Sequence, residues 1–192
     1  MEEKNKLTKE EGEYLLSIAR KTIEARLFKR DIAEQKIENK KYLETRGTFV
    51  TLTINGNLRG CIGHIIPQES LIEGIRINAI NAAFNDPRFQ PLSKGEWAGV
   101  KVEISILTEP ARLKYSDAED LLSKLRPGVD GLIIEKGYQS ATFLPQVWEQ
   151  LPGKEEFLRQ LCVKAGLSSN EWKKGALAVY TYQVQAFEEG HQ

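Results

Sequence analysis

The sequence predicts an α+β fold in which helices flank a mostly antiparallel sheet. Two pairs of apolar runs are each joined by a short turn that contains glycine, a pattern typical of antiparallel hairpins. The helical segments fall among the strands without regular strand–helix alternation, so a doubly wound nucleotide-binding fold is the weaker prediction. A chain of 192 residues is long enough for one well-buried domain or for two small lobes that share a core.

The composition is that of an ordinary globular protein, with 41% apolar and 28% charged residues. Because 27 Lys and Arg balance 27 Asp and Glu, no net field attracts a polyanion, and general nucleic-acid binding is disfavoured. The charged first residues do not resemble a secretory signal and no stretch is apolar enough to cross a membrane, so we expect a cytoplasmic protein. With two Cys and two His, we expect neither a disulfide framework nor a zinc site.

The first predicted element is a long amphipathic helix. Thr8 and Glu11 have the spacing of a capping box, and apolar residues then recur at helical spacing as far as about Phe28. The charged segment 31–46 has no clear period, so we expect a connector or a weak helix at the surface.

A hairpin follows the connector. A run rich in β-branched and aromatic residues spans Thr48–Ile54, an Asn-Gly pair comes next, and the run then continues to residue 62. With a two-residue turn, Leu52 faces Arg59. Val50 then faces Cys61, so the thiol shares a face with apolar residues, which favours a buried and inert cysteine.

The later elements are predicted from the same kinds of signal. Ser70 and Glu73 form a second capping box, and the helix that they open ends before Asp86-Pro87, since proline disfavours helical geometry in the residue before it. The remaining elements are a strand with one buried face at 100–106, a short helix from Ser116 to about 125, a hairpin of 131–135 and 140–144 around Lys136-Gly137, a helix at 154–165 capped by Gly166, and one long strand at 176–187.

The segment 58–63 combines a cation, a thiol and two glycines within one predicted strand. Gly60 and Gly63 weaken a strand, and such glycines commonly mark a bulge or the close approach of a ligand or another backbone. Cys61 is either a small core residue or a site cysteine. Arg59 favours the second interpretation, because a nearby guanidinium stabilises a thiolate.

Four further side chains have a structural and a functional interpretation. In the structural interpretation, Asp86 is a turn former and Arg88 neutralises its charge. In the functional interpretation, Arg88 joins Arg59 in a pocket for a carboxylate or phosphate. Glu103 and Ser105 share one face of their strand. Both are solvated side chains, or Glu103 faces a cleft, where it acts as a general base or pairs with Arg59.

These residues stand in motifs that resemble the AMMECR domain family over about residues 8–187. The LRGCIG hexapeptide is highly specific, and the other blocks occur in the same order: LRGCIG at 58–63, DPRF at 86–89, EIS at 103–105, Asp130-Gly131, LPQ at 144–146 and KAG at 164–166. The resemblance implies a single domain of two intertwined lobes, the larger one around an antiparallel sheet, with a groove between the lobes. It implies no established activity, cofactor or metal.

The resemblance also implies a site and partners. Prokaryotic members of the family are grouped with Memo-type and radical-SAM proteins in a predicted system, AmmeMemoRadiSam, which implies a shared pathway. By position in the motifs, the catalytic candidates are Cys61, Arg59 and Glu103, and the ligand-binding candidates are Gly60, Gly63, Asp86, Arg88, Ser105 and Gln146.

Two functional hypotheses follow. In the first, the protein is an enzyme in which Arg59 holds a small anionic ligand and activates Cys61, while Glu103 or Asp86 relays protons. In the second, it is a non-catalytic binding or accessory module in which LRGCIG is structural and Cys61 is buried. The lack of a complete catalytic set in the sequence supports the second hypothesis.

Overall fold

The computed structural model describes residues 6–31 and 37–190. The helices are α1 (Lys9–Phe28), α2 (Leu71–Phe84), α3 (Ala118–Lys124), α4 (Val147–Gln150) and α5 (Lys154–Lys164). The strands are β1 (Thr48–Ile54), β2 (Asn57–His64), β3 (Val100–Leu107), β4 (Ala111–Arg112), β5 (Gly131–Lys136), β6 (Gln139–Phe143), β7 (Ala178–Tyr182) and β8 (Val184–Glu188). Short 3₁₀ helices span Lys40–Leu43, Trp97–Gly99 and Glu171–Lys174.

The chain divides into two compact units. The first unit comprises Met1–Leu107 and Gln185–Gln192, and the second is the intervening segment Thr108–Val184. The strands form two four-stranded antiparallel sheets, so the predicted α+β class is confirmed, with two sheets where the sequence indicated one. None of the helices in the described ranges is long and apolar enough to span a membrane.

The first unit is a sheet of order β2-β1-β3-β8 with α1 and α2 packed on one face. Alternate residues of β1 and β3 point to the helices, and Val50, Leu52, Val102 and Ile104 are fully buried there. The predicted capping box opens α1, since the Glu11 amide donates to Thr8 Oγ1 at 3.2 Å and the Thr8 amide donates to Glu11 Oε2 at 2.8 Å.

The start of α2 and the segment before β1 differ from the sequence prediction or add to it. Ser70 precedes α2 as its N-cap, but its side chain makes no capping hydrogen bond, so the second capping box is wrong. Glu73 pairs with Arg76, one turn along the helix, instead. Within the predicted connector, Asn39 caps the 3₁₀ helix at 40–43, and residues 32–36 lie outside the described part of the chain.

The first hairpin forms at the predicted turn, where Asn55 and Gly56 have φ values of 51° and 76°. The predicted register is wrong beyond the first pairs, because a bulge shifts the pairing between Leu52 and Thr53. Leu52 therefore faces Gly60 instead of Arg59, which is the extra residue of the bulge.

The bulge has a packing cause and a consequence for the thiol. A Cβ atom on Gly60 would lie 2.1 Å from the carbonyl oxygen of Ala82, so β2 approaches α2 closely only at a residue without a side chain. One inserted residue reverses the alternation of every following side chain. Cys61 consequently faces Thr51 rather than Val50 and is half-buried rather than part of the core.

The second unit is a sheet of order β4-β7-β5-β6, and its core includes Phe157, Leu158, Leu161 and Cys162 of α5. The predicted hairpin of this unit is confirmed, but its turn lies at residues 137–138, one residue later than the predicted Lys136-Gly137. The predicted cap at Gly166, with φ of 74°, is also confirmed. The short helix α3 begins later than predicted, because Asp117 rather than the preceding serine accepts the capping bond from the Asp120 amide.

The predicted single strand at 176–187 is wrong, because β7 and β8 belong to different sheets. The break is at Gln183. The Thr108 amide donates to its carbonyl oxygen at 2.9 Å, and its own amide donates to Thr108 Oγ1 at 2.9 Å. The predicted run continues through Gln183 without a local signal for a break. The break is set instead by Thr108, a residue distant in the sequence.

Candidate functional site

Three predicted site residues, Cys61, Glu103 and Ser105, lie on the sheet face opposite α1 and α2, together with Thr51, which the sequence did not single out. Cys61 on β2, Thr51 on β1 and Glu103 on β3 occupy facing positions and form one row across the sheet. Ser105 lies in the next row, paired with Phe49. We refer to the surface of Cys61, Thr51, Glu103 and Ser105 as the thiol face.

The row places a thiol, a hydroxyl and a carboxyl group side by side across three strands. Thr51 Oγ1 donates to Cys61 Sγ at 3.3 Å. Burial raises the pKa of Glu103 because it disfavours the charged carboxylate, and the negative charge of Glu188 raises this pKa further. A hydrogen bond from Ser105 Oγ at 3.4 Å has the opposite effect and lowers the pKa. Cys61 and Glu103 stand two strands apart, about 10 Å between Cα atoms. Thr51 of β1 lies between the two residues.

Asp86 and Arg88 bind both backbone polar groups of Cys61 at the free edge of β2. Asp86 Oδ2 accepts the Cys61 amide at 2.9 Å, and Arg88 Nη2 donates to the Cys61 carbonyl oxygen at 3.1 Å. Since β2 is an edge strand, these two polar groups have no neighbouring strand on that side. The DPRF segment thus takes the place of a further strand at this residue.

Asp86 and Arg88 also bind each other. Arg88 Nε donates to Asp86 Oδ1 at 3.0 Å, and Nη2 donates to Oδ2 at 2.7 Å. These bonds, followed by those from the Cys61 and Arg88 amides, hold the pKa of the Asp86 carboxyl well below its usual range although its burial acts in the opposite direction. The carboxylate is 1% exposed and the guanidinium-bearing side chain is 53% exposed, so only Arg88 can reach a ligand.

Arg59 is engaged elsewhere. Its Nε donates to Glu96 Oε1 at 2.7 Å and its Nη2 donates to the Gln90 carbonyl oxygen at 2.9 Å, while Nη1 is buried without a hydrogen-bond partner among the described residues. The Arg59 bonds, with others from Ser93, lower the pKa of Glu96 to about 2. The cation that contacts Cys61 is Arg88. Even so, the Cζ atoms of Arg59 and Arg88 lie 5.8 and 5.5 Å from the centroid of the Phe89 ring, so two guanidinium groups flank it.

Glu96 was not among the residues that the sequence analysis selected. Its oxygen Oε2 accepts the Ser93 amide at 2.9 Å and the Ser93 hydroxyl at 2.7 Å. A serine followed three residues later by glutamate is a recognisable local signal. The signal indicates the turn, whereas the pairing with Arg59 depends on the fold.

The predicted ligand-binding glycines lie against the protein itself. The close approach to Ala82 occupies the space beside Gly60, and a Cβ atom on Gly63 would lie 2.2 Å from the Thr48 carbonyl oxygen and 2.3 Å from the Phe49 ring. Gln146 belongs to the second unit, where it is exposed at the start of α4. Over residues 6–31 and 37–190, no group of three or more His, Cys, Asp or Glu is arranged to hold a metal ion.

Comparisons with known proteins give one consistent result. The AMMECR1 family model matches residues 16–187. A protein of Methanosarcina mazei is 43% identical over 188 residues, which cover 95% of this chain and 94% of that one, and protein MK0488 of Methanopyrus kandleri is 38% identical over 192 residues, which cover 96% and 91%. The crystal structure of the uncharacterized protein PH0010 from Pyrococcus horikoshii is similar with a TM-score of 0.83 and 37% identity, covering 94% of this chain and 92% of that one.

Proposed function

The chain belongs to the AMMECR1 family, and from that premise we propose that its thiol face binds a small anionic ligand on which Cys61 acts. The observation that supports this most directly is the row of Cys61, Thr51 and Glu103 across three strands. In this proposal Cys61 supplies a sulfur nucleophile, and Glu103 supplies a carboxyl group that exchanges a proton with the ligand.

The charge of the proposed ligand follows from Arg88. Its side chain is half exposed, it contacts the Cys61 carbonyl group, and it shares the Phe89 ring with a second guanidinium. A forked cation suits a carboxylate or phosphate. Asp86 neutralises part of this charge. We therefore expect the site to prefer anionic ligands, although the anionic group by itself binds weakly.

Alkylation of the native protein tests the proposal. Cys61 is expected to react with iodoacetamide between about pH 6 and pH 9 at a rate near or above that of glutathione, whereas the buried Cys162 stays unmodified. Peptide mass mapping reports both cysteines in one sample. Relative to glutathione, Cys61 is expected to favour the anionic reagent iodoacetate over iodoacetamide, because Arg88 lies nearby.

A matched pair of variants tests the role of the row. Thr51→Val removes the hydroxyl that donates to Sγ and is expected to slow the alkylation of Cys61 several-fold. Thr53→Val changes the next residue on the same face of β1 and is expected to leave the rate unchanged. If Cys61 reacts only when the protein unfolds, it is not a nucleophile.

The second function is a non-catalytic binding or accessory module. It is favoured by one observation, that Asp86, Arg88 and Arg59 are all engaged within the protein. On this hypothesis Cys61→Ala lowers the free energy of unfolding, and an unreactive Cys61 in the alkylation experiment selects this function over the first.

The family resemblance adds a proposal about the pathway, in which this protein acts with Memo-type and radical-SAM proteins. If the three act in sequence on related metabolites, deleting any one of their genes in the same organism is expected to remove the same final product. Loss of unrelated products in the three deletions contradicts the shared pathway.

A further inference from the structure

The first unit contains a cavity at the end of β3 that begins with Val100. It has a volume of about 710 Å³ and lies between α1, the start of β3 and the segment Glu188–Gly190. Leu16, Arg20 and Val100 are among the residues that line it, whereas the four residues of the thiol face do not. Cavities of this size commonly hold small molecules.

One wall of this cavity is a carboxylate clamp. Arg20 Nε donates to Glu189 Oε1, and Arg20 Nη2 donates to Glu189 Oε2 at 2.7 Å. The Val102 amide donates to the same Oε2 atom at 2.9 Å. Three donors from α1 and β3 thus converge on one carboxylate. A forked guanidinium together with a backbone amide is the arrangement that proteins use to recognise carboxylate groups.

The clamp keeps its shape through contacts that do not involve Glu189. The Arg20 guanidinium lies over the Trp97 ring, 4.5 Å from its centroid, and its Nη2 also donates to the Val100 carbonyl oxygen at 2.6 Å. Both contacts orient the guanidinium before any carboxylate binds. A receptor group held in this way avoids part of the entropic cost of binding.

The backbone of Glu189 is held less firmly than the strand before it. The strand β8 ends at Glu188, and the Glu189 backbone adds one hydrogen bond, from its amide to the Val102 carbonyl oxygen at 3.1 Å. The other described hydrogen bonds of Glu189 are those that its side chain accepts in the clamp. Loss of the side-chain contacts therefore frees the clamp without breaking the sheet.

We propose that the clamp of Arg20 and the Val102 amide is a binding site for a small organic monocarboxylate, with Glu189 as its internal occupant. The carboxylate of the ligand replaces that of Glu189, and the rest of the molecule enters the cavity beside Leu16. Glu13, Glu188 and Lys101 also line the cavity, so two carboxylates face one cation there, and the rest of the ligand is neutral or cationic rather than a second anion.

The test uses propionate as the probe and propionamide as its uncharged control. In the Glu189→Ala protein, propionate is expected to shift the NMR signals of Arg20 Nε–H and the Val102 amide in a saturable way, at concentrations at least about tenfold lower than in the unchanged protein, where the internal carboxylate competes. Propionamide is expected to shift neither signal. Adding Arg20→Gln to Glu189→Ala is expected to abolish the response.

If no saturable shift occurs, or if it survives Arg20→Gln, the clamp is only a structural latch and the proposal is wrong. Should Glu189→Ala fail to fold, the unchanged protein decides the question. High concentrations of propionate, but not of propionamide, are then expected to speed hydrogen exchange of the Glu189 amide. Equal exchange in the two solutions also overturns the proposal.

Discussion

Asp86 is the side chain on which the geometry around Cys61 depends. Its buried carboxylate accepts from the Cys61 amide and from the backbone and guanidinium of Arg88. A buried carboxylate is costly unless such donors satisfy it. The residue therefore positions Cys61 through the backbone and does not itself face a ligand.

Replacement of Asp86 by Asn is expected to lower the free energy of unfolding by about 2 kcal/mol, because the charge-assisted bonds to Arg88 are lost. Urea denaturation of the two proteins measures the difference. Asp31→Asn removes a negative charge from an exposed position and is expected to change stability by less than about 0.5 kcal/mol. Equal effects of the two substitutions contradict the structural role of Asp86.

The ion pair of Glu96 with Arg59 predicts a pH dependence of stability. The pKa of Glu96 is about 2 in the folded protein and about 4.3 in an unfolded chain, so its stabilisation is complete above the unfolded value and is lost as the pH falls towards 2. Because the side chain is partly exposed, we expect at most about 1 kcal/mol. The difference in unfolding free energy between the unchanged protein and Glu96→Gln is expected to shrink below about pH 4.3; a constant difference contradicts the assignment.

At the scale of elements, the bulge in β2 decides which side chains the sheet presents. It allows Gly60 to lie against the carbonyl group of Ala82 and brings Cys61 to the face that carries Thr51. The same strand thus packs against α2 on one side and exposes the thiol on the other. One inserted residue in a strand is sufficient for both.

Gly60→Ala is expected to cost about 3 kcal/mol, because the added methyl group meets a backbone carbonyl that cannot move away as a flexible side chain can. Gly95→Ala is the matched control, since no atom lies within 4 Å of the added Cβ and its φ is not positive. The control is expected to be nearly neutral. Urea midpoints for both variants check the prediction, and a mild effect at Gly60 contradicts the close approach of β2 to α2.

At the scale of the whole molecule, the residues that the structure describes form two hydrophobic cores. One contains Val50 and Ile104 of the first sheet, and the other contains Leu132 and Phe157 of the second unit. The second unit is continuous in sequence, and hydrogen bonds between Thr108 and Gln183 join its two ends. A segment with its own core and adjacent ends is typical of an inserted domain.

The segment Thr108–Val184 is therefore expected to fold by itself and to unfold cooperatively in urea, followed by circular dichroism. In this fragment, Leu158→Ala is expected to lower the free energy of unfolding by about 3 kcal/mol, because the side chain is fully buried. Val163→Ala changes an exposed residue of the same helix and is expected to have little effect. A fragment without a cooperative transition contradicts the prediction of an inserted domain.

Features encoded by neighbouring residues are predictable from the sequence. The capping box of α1, the turn at Asn55 and the glycine that caps α5 each depend on residues within one turn. The family resemblance also groups Cys61, Asp86 and Arg88 in one candidate site, and hydrogen bonds join these three residues in the structure.

Tertiary contacts decide the features that the sequence analysis predicted incorrectly or missed. The register of β2 depends on the Ala82 carbonyl group, the end of β7 depends on Thr108, 75 residues before Gln183, and Arg59 pairs with Glu96, 37 residues away. Local patterns carry no information about such partners, because the fold alone brings them together. The direction in which the Cys61 side chain points, and with it the composition of the thiol face, is therefore a property of the packed molecule and not of its hexapeptide.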